Sequence, residues 1–146
     1  MKKLLLLFLL FPLILNAQKN TLYLTFAPTD LGIGMRYDRQ ISDMGLYGSA
    51  SWGNYYIDKQ RINNHVKLVL GAVKYCESKY YDFTTVLYSA GISYHYYGNE
   101  LEGLNGKVFA PVSIDLGTGI RIKRFNAGFC FDFFKGEGVI NFGYSF

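Results

Sequence analysis

Tyr88-Ser89-Ala90-Gly91-Ile92-Ser93-Tyr94-His95-Tyr96 alternates with a period of two. Tyr88, Ala90, Ile92, Tyr94 and Tyr96 fall on one face, and Ser89, Gly91, Ser93 and His95 on the other. Successive side chains of a strand point to opposite faces, so this segment reads as a β-strand with one apolar and one polar side. Two opposite objects share that pattern: a soluble barrel or sandwich with the apolar face inside, and a membrane barrel with that face in lipid. Composition of the polar face separates them. A water-exposed outer face has unlimited room and favours long charged side chains and Thr, whereas a narrow lumen is crowded and favours Gly and Ser beside a few charges that pair. The polar row here is Ser, Gly, Ser and His, and the apolar row is mostly aromatic, which points to lipid outside and a small lumen inside.

The same split recurs outward in both directions. Ile33, Met35 and Tyr37 oppose Gly34, Arg36 and Asp38; Val66, Leu68 and Leu70 oppose His65, Lys67 and Val69. Ile114, Leu116 and Ile120 oppose Ser113, Asp115, Gly117, Gly119 and Arg121, and Phe129, Phe131 and Phe133 oppose Gly128, Cys130 and Asp132. The pattern predicts an all-β chain of eight strands: 21–27, 32–41, 46–56, 64–74, 84–97, 112–122, 127–134 and 139–146. On the polar rows Arg36, Lys67 and Arg121 balance Asp38, Asp115 and Asp132 three to three, the composition expected of a lumen charge network whose buried charges must be paired.

Pro28-Thr29-Asp30, Ser42-Asp43-Met44-Gly45, Lys123-Arg124-Phe125-Asn126 and Lys135-Gly136-Glu137-Gly138 are short and turn-forming, so each predicts an antiparallel hairpin. Residues 57–63, 75–83 and 98–111 predict longer connections, the last the most mobile. No linker or repeat divides the hairpins, so residues 18–146 form one up-and-down domain. Before it, Met1-Lys2-Lys3, the apolar run Leu4 to Leu15 and the polar Asn16-Ala17-Gln18 read as a Sec-type signal peptide covering residues 1–17 and cleaved after Ala17. The apolar run is shorter than the ~20 residues of a spanning helix. Of the formal +4 charge, Lys2 and Lys3 leave with the leader, and the small remaining excess implies no nucleic-acid partner.

The segment Ile140-Asn141-Phe142-Gly143-Tyr144-Ser145-Phe146 alternates apolar and aromatic residues with small polar ones and stops on Phe. It resembles the terminal strand signal of bacterial outer-membrane β-barrels. With the leader and eight strands, the whole mature chain is similar to the small eight-stranded class typified by the OmpA and OmpX barrels. That resemblance implies a Gram-negative-type outer membrane, contact with outer-membrane lipid, and Ile140, Phe142, Tyr144 and Phe146 as an insertion signal read by the barrel-insertion machinery. An eight-stranded barrel is filled by its own side chains, so an open diffusion pore is disfavoured and a structural or surface-binding role through the loops is expected.

Enzymatic chemistry has one candidate, Ser93 with His95. Residues two apart lie ~6.6–7 Å from one another along a strand, which predicts no direct hydrogen bond between them. The segment Ser93-Tyr94-His95-Tyr96-Tyr97 resembles that of lipid A deacylase barrels, which carry a Ser two positions after the His where this chain has Tyr97. No catalytic residue, cofactor or metal ligand set is therefore expected: His65 and His95 are the only histidines, and Cys76 and Cys130 lie far apart and read as two separate thiols. Two other readings stand beside the outer-membrane barrel: a secreted soluble barrel that binds an apolar ligand inside, and a lipid A-modifying enzyme. The surface partner is not legible in these residues.

Overall fold

A computed structural model describes residues 19–28, 31–57, 60–78, 84–97 and 111–146. The predicted signal peptide and most of the loop expected at 98–111 lie outside these residues. Eight antiparallel strands follow one another in chain order: β1 (Asn20–Ala27), β2 (Gly32–Gln40), β3 (Met44–Ile57), β4 (Gln60–Glu77), β5 (Thr84–Tyr96), β6 (Val112–Ile122), β7 (Phe125–Asp132) and β8 (Glu137–Ser145). Each pairs with the next, and β8 pairs with β1, so the sheet closes into a barrel without an edge. The closing seam reaches Phe146, whose N–H donates to the Asn20 carbonyl at 2.9 Å while Asn20 N–H donates to the Phe146 carbonyl at 3.0 Å. No helix long and apolar enough to cross a membrane occurs among the described residues.

Two of the longer connections differ from the sequence expectation. Pairing between β3 and β4 continues as Tyr55↔Ile62, Tyr56↔Arg61 and Ile57↔Gln60, where residues 57–63 were expected to loop. An irregularity between Gly53 and Tyr55 separates this extension from the regular ladder, and Asn64 opposite it adopts φ 59°, the left-handed region that Asn tolerates better than most residues. A backbone ladder needs no apolar row, so alternation fades along β3 and β4 before the pairing does. At the other end β4 runs through Tyr75 and Cys76 to Glu77, residues also expected to loop.

Residue pairing fixes the barrel's geometry. Followed once round from Ser145 through Thr21, Asp38, Tyr47, Gly71, Gly91, Asp115 and Asp132, it returns to β8 at Glu137, eight residues from its start. A stagger of eight over eight strands tilts them by about 36° and fills the interior with layers of four side chains from alternate strands. From Val112 to Ile122, the 11 residues of β6 are separated by about ten steps of roughly 3.3 Å and therefore rise roughly 27 Å along the barrel axis.

Polarity is inverted relative to a water-soluble domain. Leu70 is 75% exposed, Leu24 69% and Ile92 64%, whereas Asp38 and Asp132 are fully buried. Glycine makes room for the large inward groups: a Cβ at Gly71 or Gly91 would collide with the Tyr47 side chain, and one at Gly143 with the Tyr23 ring. The inward row of Gly and Ser is thus the space into which the lumen's tyrosines and charged side chains fit.

Candidate functional site

The lumen is the site where chemistry-bearing side chains converge. It has three tiers between a terminal end, which carries Asn20 and Phe146, and a distal end. In the distal tier the Lys67 ammonium, brought in by β4, lies 3.1 Å from Asp115 Oδ2 on β6, 3.2 Å from Asp132 Oδ2 on β7 and 3.6 Å from Glu137 Oε2 on β8. Asp132 Oδ2 also accepts from Ser93 Oγ at 2.7 Å and faces His95 Nε2 at 2.8 Å; its Oδ1 accepts from Ser113 Oγ and from the Lys135 amide. With the His95 Nε2 proton directed at Asp132, His95 Nδ1 is left to accept from His65 Nε2, 2.9 Å away. Both imidazoles stack with the Tyr97 ring, over which Lys135 places its ammonium at 5.3 Å. Burial in the Phe133 to Gly136 turn lowers the Lys135 pKa, opposed by the field of Asp132.

Arg36 occupies the middle tier. Its guanidinium grips Asp38 through Nε to Oδ1 at 2.7 Å and Nη2 to Oδ2 at 3.1 Å. The Tyr47 ring lies 3.8 Å from its central carbon, and Nη1 donates to Cys130 Sγ at 3.2 Å. Two residues apart on one strand, Arg36 and Asp38 meet because both point into the same narrow space and the planar fork matches a carboxylate. The terminal tier is built on Arg121, which donates to Asn126 Oδ1, Gln40 Oε1 and Thr21 Oγ1 at 2.8, 2.7 and 3.1 Å, under the Tyr75 ring.

All six charged residues singled out from the sequence are buried: Arg36, Asp38, Lys67, Asp115, Arg121 and Asp132. Their grouping departs from three matched pairs. Arg121 hydrogen-bonds neutral amides and a hydroxyl, while Lys67 serves three carboxylates. The additional one is Glu137, assigned to a turn by its Gly neighbours but placed by the structure at the head of β8, directly opposite Asp132. The remaining sequence candidates, Phe142 and Tyr144 on the outer face of β8 and Phe146 just past its end, are exposed, with Ile140 partly exposed on the same row. Cys76 and Cys130 are free thiols.

One geometric expectation is corrected. The strand repeat predicts Ser93 and His95 beyond hydrogen-bond reach, yet Ser93 Oγ and His95 Nε2 lie 3.2 Å apart. The strand repeat separates backbones, whereas here both side chains lean onto Asp132. The contact differs from a nucleophile relay, because His95 Nε2 faces both Ser93 and Asp132 while Nδ1 is engaged by His65. Ligand atoms of His95, Asp132 and Glu137 also lie within 4.8 Å of one another, a spacing that suits a metal ion, although Lys67 already brings a cation to both carboxylates. The two histidines and Glu137 come from β4, β5 and β8, so no local spacing in the sequence signals the cluster.

Two cavities within the lumen hold about 20 Å³ each. One is bounded by Thr25, Ser51, Lys67 and Asp115, the other by Tyr23, Leu87 and Ser89, and each has room for about one water. No protein-family model matches the chain, and no curated protein matches it.

Proposed function

We propose that the protein spans an outer membrane as a closed β-barrel, its lumen plugged by its own polar side chains, and acts as a structural or surface-binding protein through its loops. The observation that carries this reading is the inverted polarity of the wall, with an apolar and aromatic outer face around buried, ion-paired charges. A closed barrel satisfies every strand's backbone internally, which lipid demands. The roughly 27 Å rise of β6 is close to the ~25 Å apolar band of such barrels. Trp52, Tyr94 and Phe133 toward the distal end, and Phe125, Tyr144 and Phe146 toward the terminal end, are exposed aromatics suited to the two interfaces. The signal-peptide pattern of residues 1–17 supports export through a Sec-type route to the outer membrane of a Gram-negative-type cell.

The role is read as non-enzymatic, since His95 has both ring nitrogens engaged in a buried network. A soluble carrier of an apolar ligand would need an apolar interior cavity, and the lumen cavities described are water-sized. The row Ile140, Phe142, Tyr144 and Phe146 supports recognition of β8 by the barrel-insertion machinery. Fractionation tests the location: the protein should partition with outer membranes and migrate faster unheated than boiled. Planar-bilayer recording tests the plug, with small conductance expected. Recovery from the soluble periplasm would overturn the first claim, and a large stable pore the second.

A further inference from the structure

Two cross-strand pairs meet in the distal tier of the lumen. Lys67 of β4 stands directly opposite His95 of β5, and Asp132 of β7 directly opposite Glu137 of β8. The ladder fixes each pair, and the stagger of the closed barrel brings the two to one height. One ligand atom from each of His95, Asp132 and Glu137 therefore falls within 4.8 Å of the others, and all three side chains are buried. The closest approach is His95 Nε2 to Asp132 Oδ2, at 2.8 Å. An imidazole nitrogen beside two carboxylates is a donor set for zinc and its transition-metal neighbours, whereas magnesium and calcium favour oxygen alone.

Charge gives such an ion a reason to enter. Asp115, Asp132 and Glu137 bring three negative charges around the single positive charge of Lys67. In the tier below, Arg36 and Asp38 already balance each other, and Lys135, in the turn beyond Asp132, directs its ammonium over the Tyr97 ring. Buried charge without a counter-charge is costly, and one divalent ion brings the sum over Lys67 and the three carboxylates to zero. Lys67 also has room to make way. The water-sized cavity beside it is bounded by Asp115, Thr25 and Ser51, so the ammonium can keep its contact with Asp115 while withdrawing from Asp132 and Glu137.

We propose that the distal tier binds one divalent ion of the zinc class through His95 Nε2, Asp132 and Glu137, with His65 as a positioning residue. His65 Nε2 lies 2.9 Å from His95 Nδ1 and holds the ligand ring from its other nitrogen, as partners of metal-bound imidazoles do. For Nε2 to ligate, its proton moves to Nδ1 and is donated to His65, whose own proton passes from Nε2 to Nδ1, so none is released. Ligands at ~2.1 Å from a tetrahedral zinc lie about 3.4 Å apart, and Glu137 closes in as the ion enters. The ion then staples β5, β7 and β8 at the distal end. The site lies inside the barrel and does not depend on what surrounds the wall.

The test uses untagged protein refolded in detergent micelles, cleared of metal with a chelator and dialysed against Zn²⁺ or Mg²⁺. Metal analysis should find close to one zinc per chain and no magnesium, and Co²⁺ in place of zinc should give the visible absorption of a four- or five-coordinate nitrogen and oxygen site. His95→Gln with Glu137→Gln should weaken zinc binding by at least about tenfold. Lys67→Met, which removes the competing ammonium, should instead strengthen it by at least about tenfold, a direction that a merely structural role for Lys67 does not produce. Unheated gel migration checks that each variant is folded; should the double variant fail to fold, Lys67→Met and the cobalt spectrum decide. Wild type that retains no zinc after dialysis, zinc binding unchanged in the folded double variant, or a Lys67→Met variant that binds zinc no more tightly would overturn the site.

Discussion

Along β4, Val66, Leu68, Leu70 and Ala72 look outward and Lys67, Val69, Val73 and Tyr75 look inward, two rows separated only by the thickness of one backbone. The outward row is constrained in chemistry and free in size: Leu70 and Phe129 meet no protein across from them. The inward row is constrained in size and free in chemistry, provided each polar group finds its partner. Lys67 is tolerated because three carboxylates face it, and Tyr47 because Gly71 and Gly91 leave its ring the space. Burial thus means opposite things on the two faces, and substitutions of one kind should have unequal effects across the wall.

The largest expected effect is inside. Lys67→Met keeps the length of the side chain and removes its charge, leaving Asp115, Asp132 and Glu137 gathered without their shared ammonium. The loss should be about 3–5 kcal/mol, the range for breaking a buried ion pair by removing one partner. Urea unfolding in lipid vesicles, followed by the fluorescence of the single Trp52, measures it. Loss below 1 kcal/mol would mean that water or protons already neutralise the cluster.

Second is a charge on the outer face. Ile92→Lys should cost about 2–4 kcal/mol in bilayers if this position meets the hydrocarbon midplane. The same variant made in detergent micelles should lose less, and equal stability to wild type in vesicles would contradict the outward facing of β5 toward lipid.

A third pair compares one added methyl on either side of the wall. At Gly71 a Cβ would meet the Tyr47 ring and the Ala90 carbonyl, so Gly71→Ala should destabilise by about 1–3 kcal/mol through overpacking. At Gly48, on the adjoining strand but facing outward, the nearest atom is Leu70 Cδ2 at 3.4 Å, an ordinary contact. Gly48→Ala should therefore change stability by no more than about 0.5 kcal/mol, the smallest effect of the set. Equal losses for the two alanines would erase the distinction between a crowded lumen and an open outer face.

Alternation at period two was enough to read eight strands, their facing and the six inward charges, because a strand assigns faces by parity and each segment repeats the test independently. The missing residues were legible in type but not in place. Glu137 sits beside Gly136, whose φ of 66° belongs to the turn, so local composition grouped the two although the ladder begins at Glu137. His65 and His95 are 30 residues apart and meet because β4 pairs with β5 while their rings lean to a common side.

The primary sequence by itself determined the alternation, the aromatic outer rows and the small, sparsely charged inner rows, since these are properties of single strands. Only the tertiary structure decided which charge meets which. The stagger of eight residues around the closed barrel sets the height of every inward side chain, bringing Lys67 level with Glu137 and Arg121 with Gln40, and parity carries no information about height.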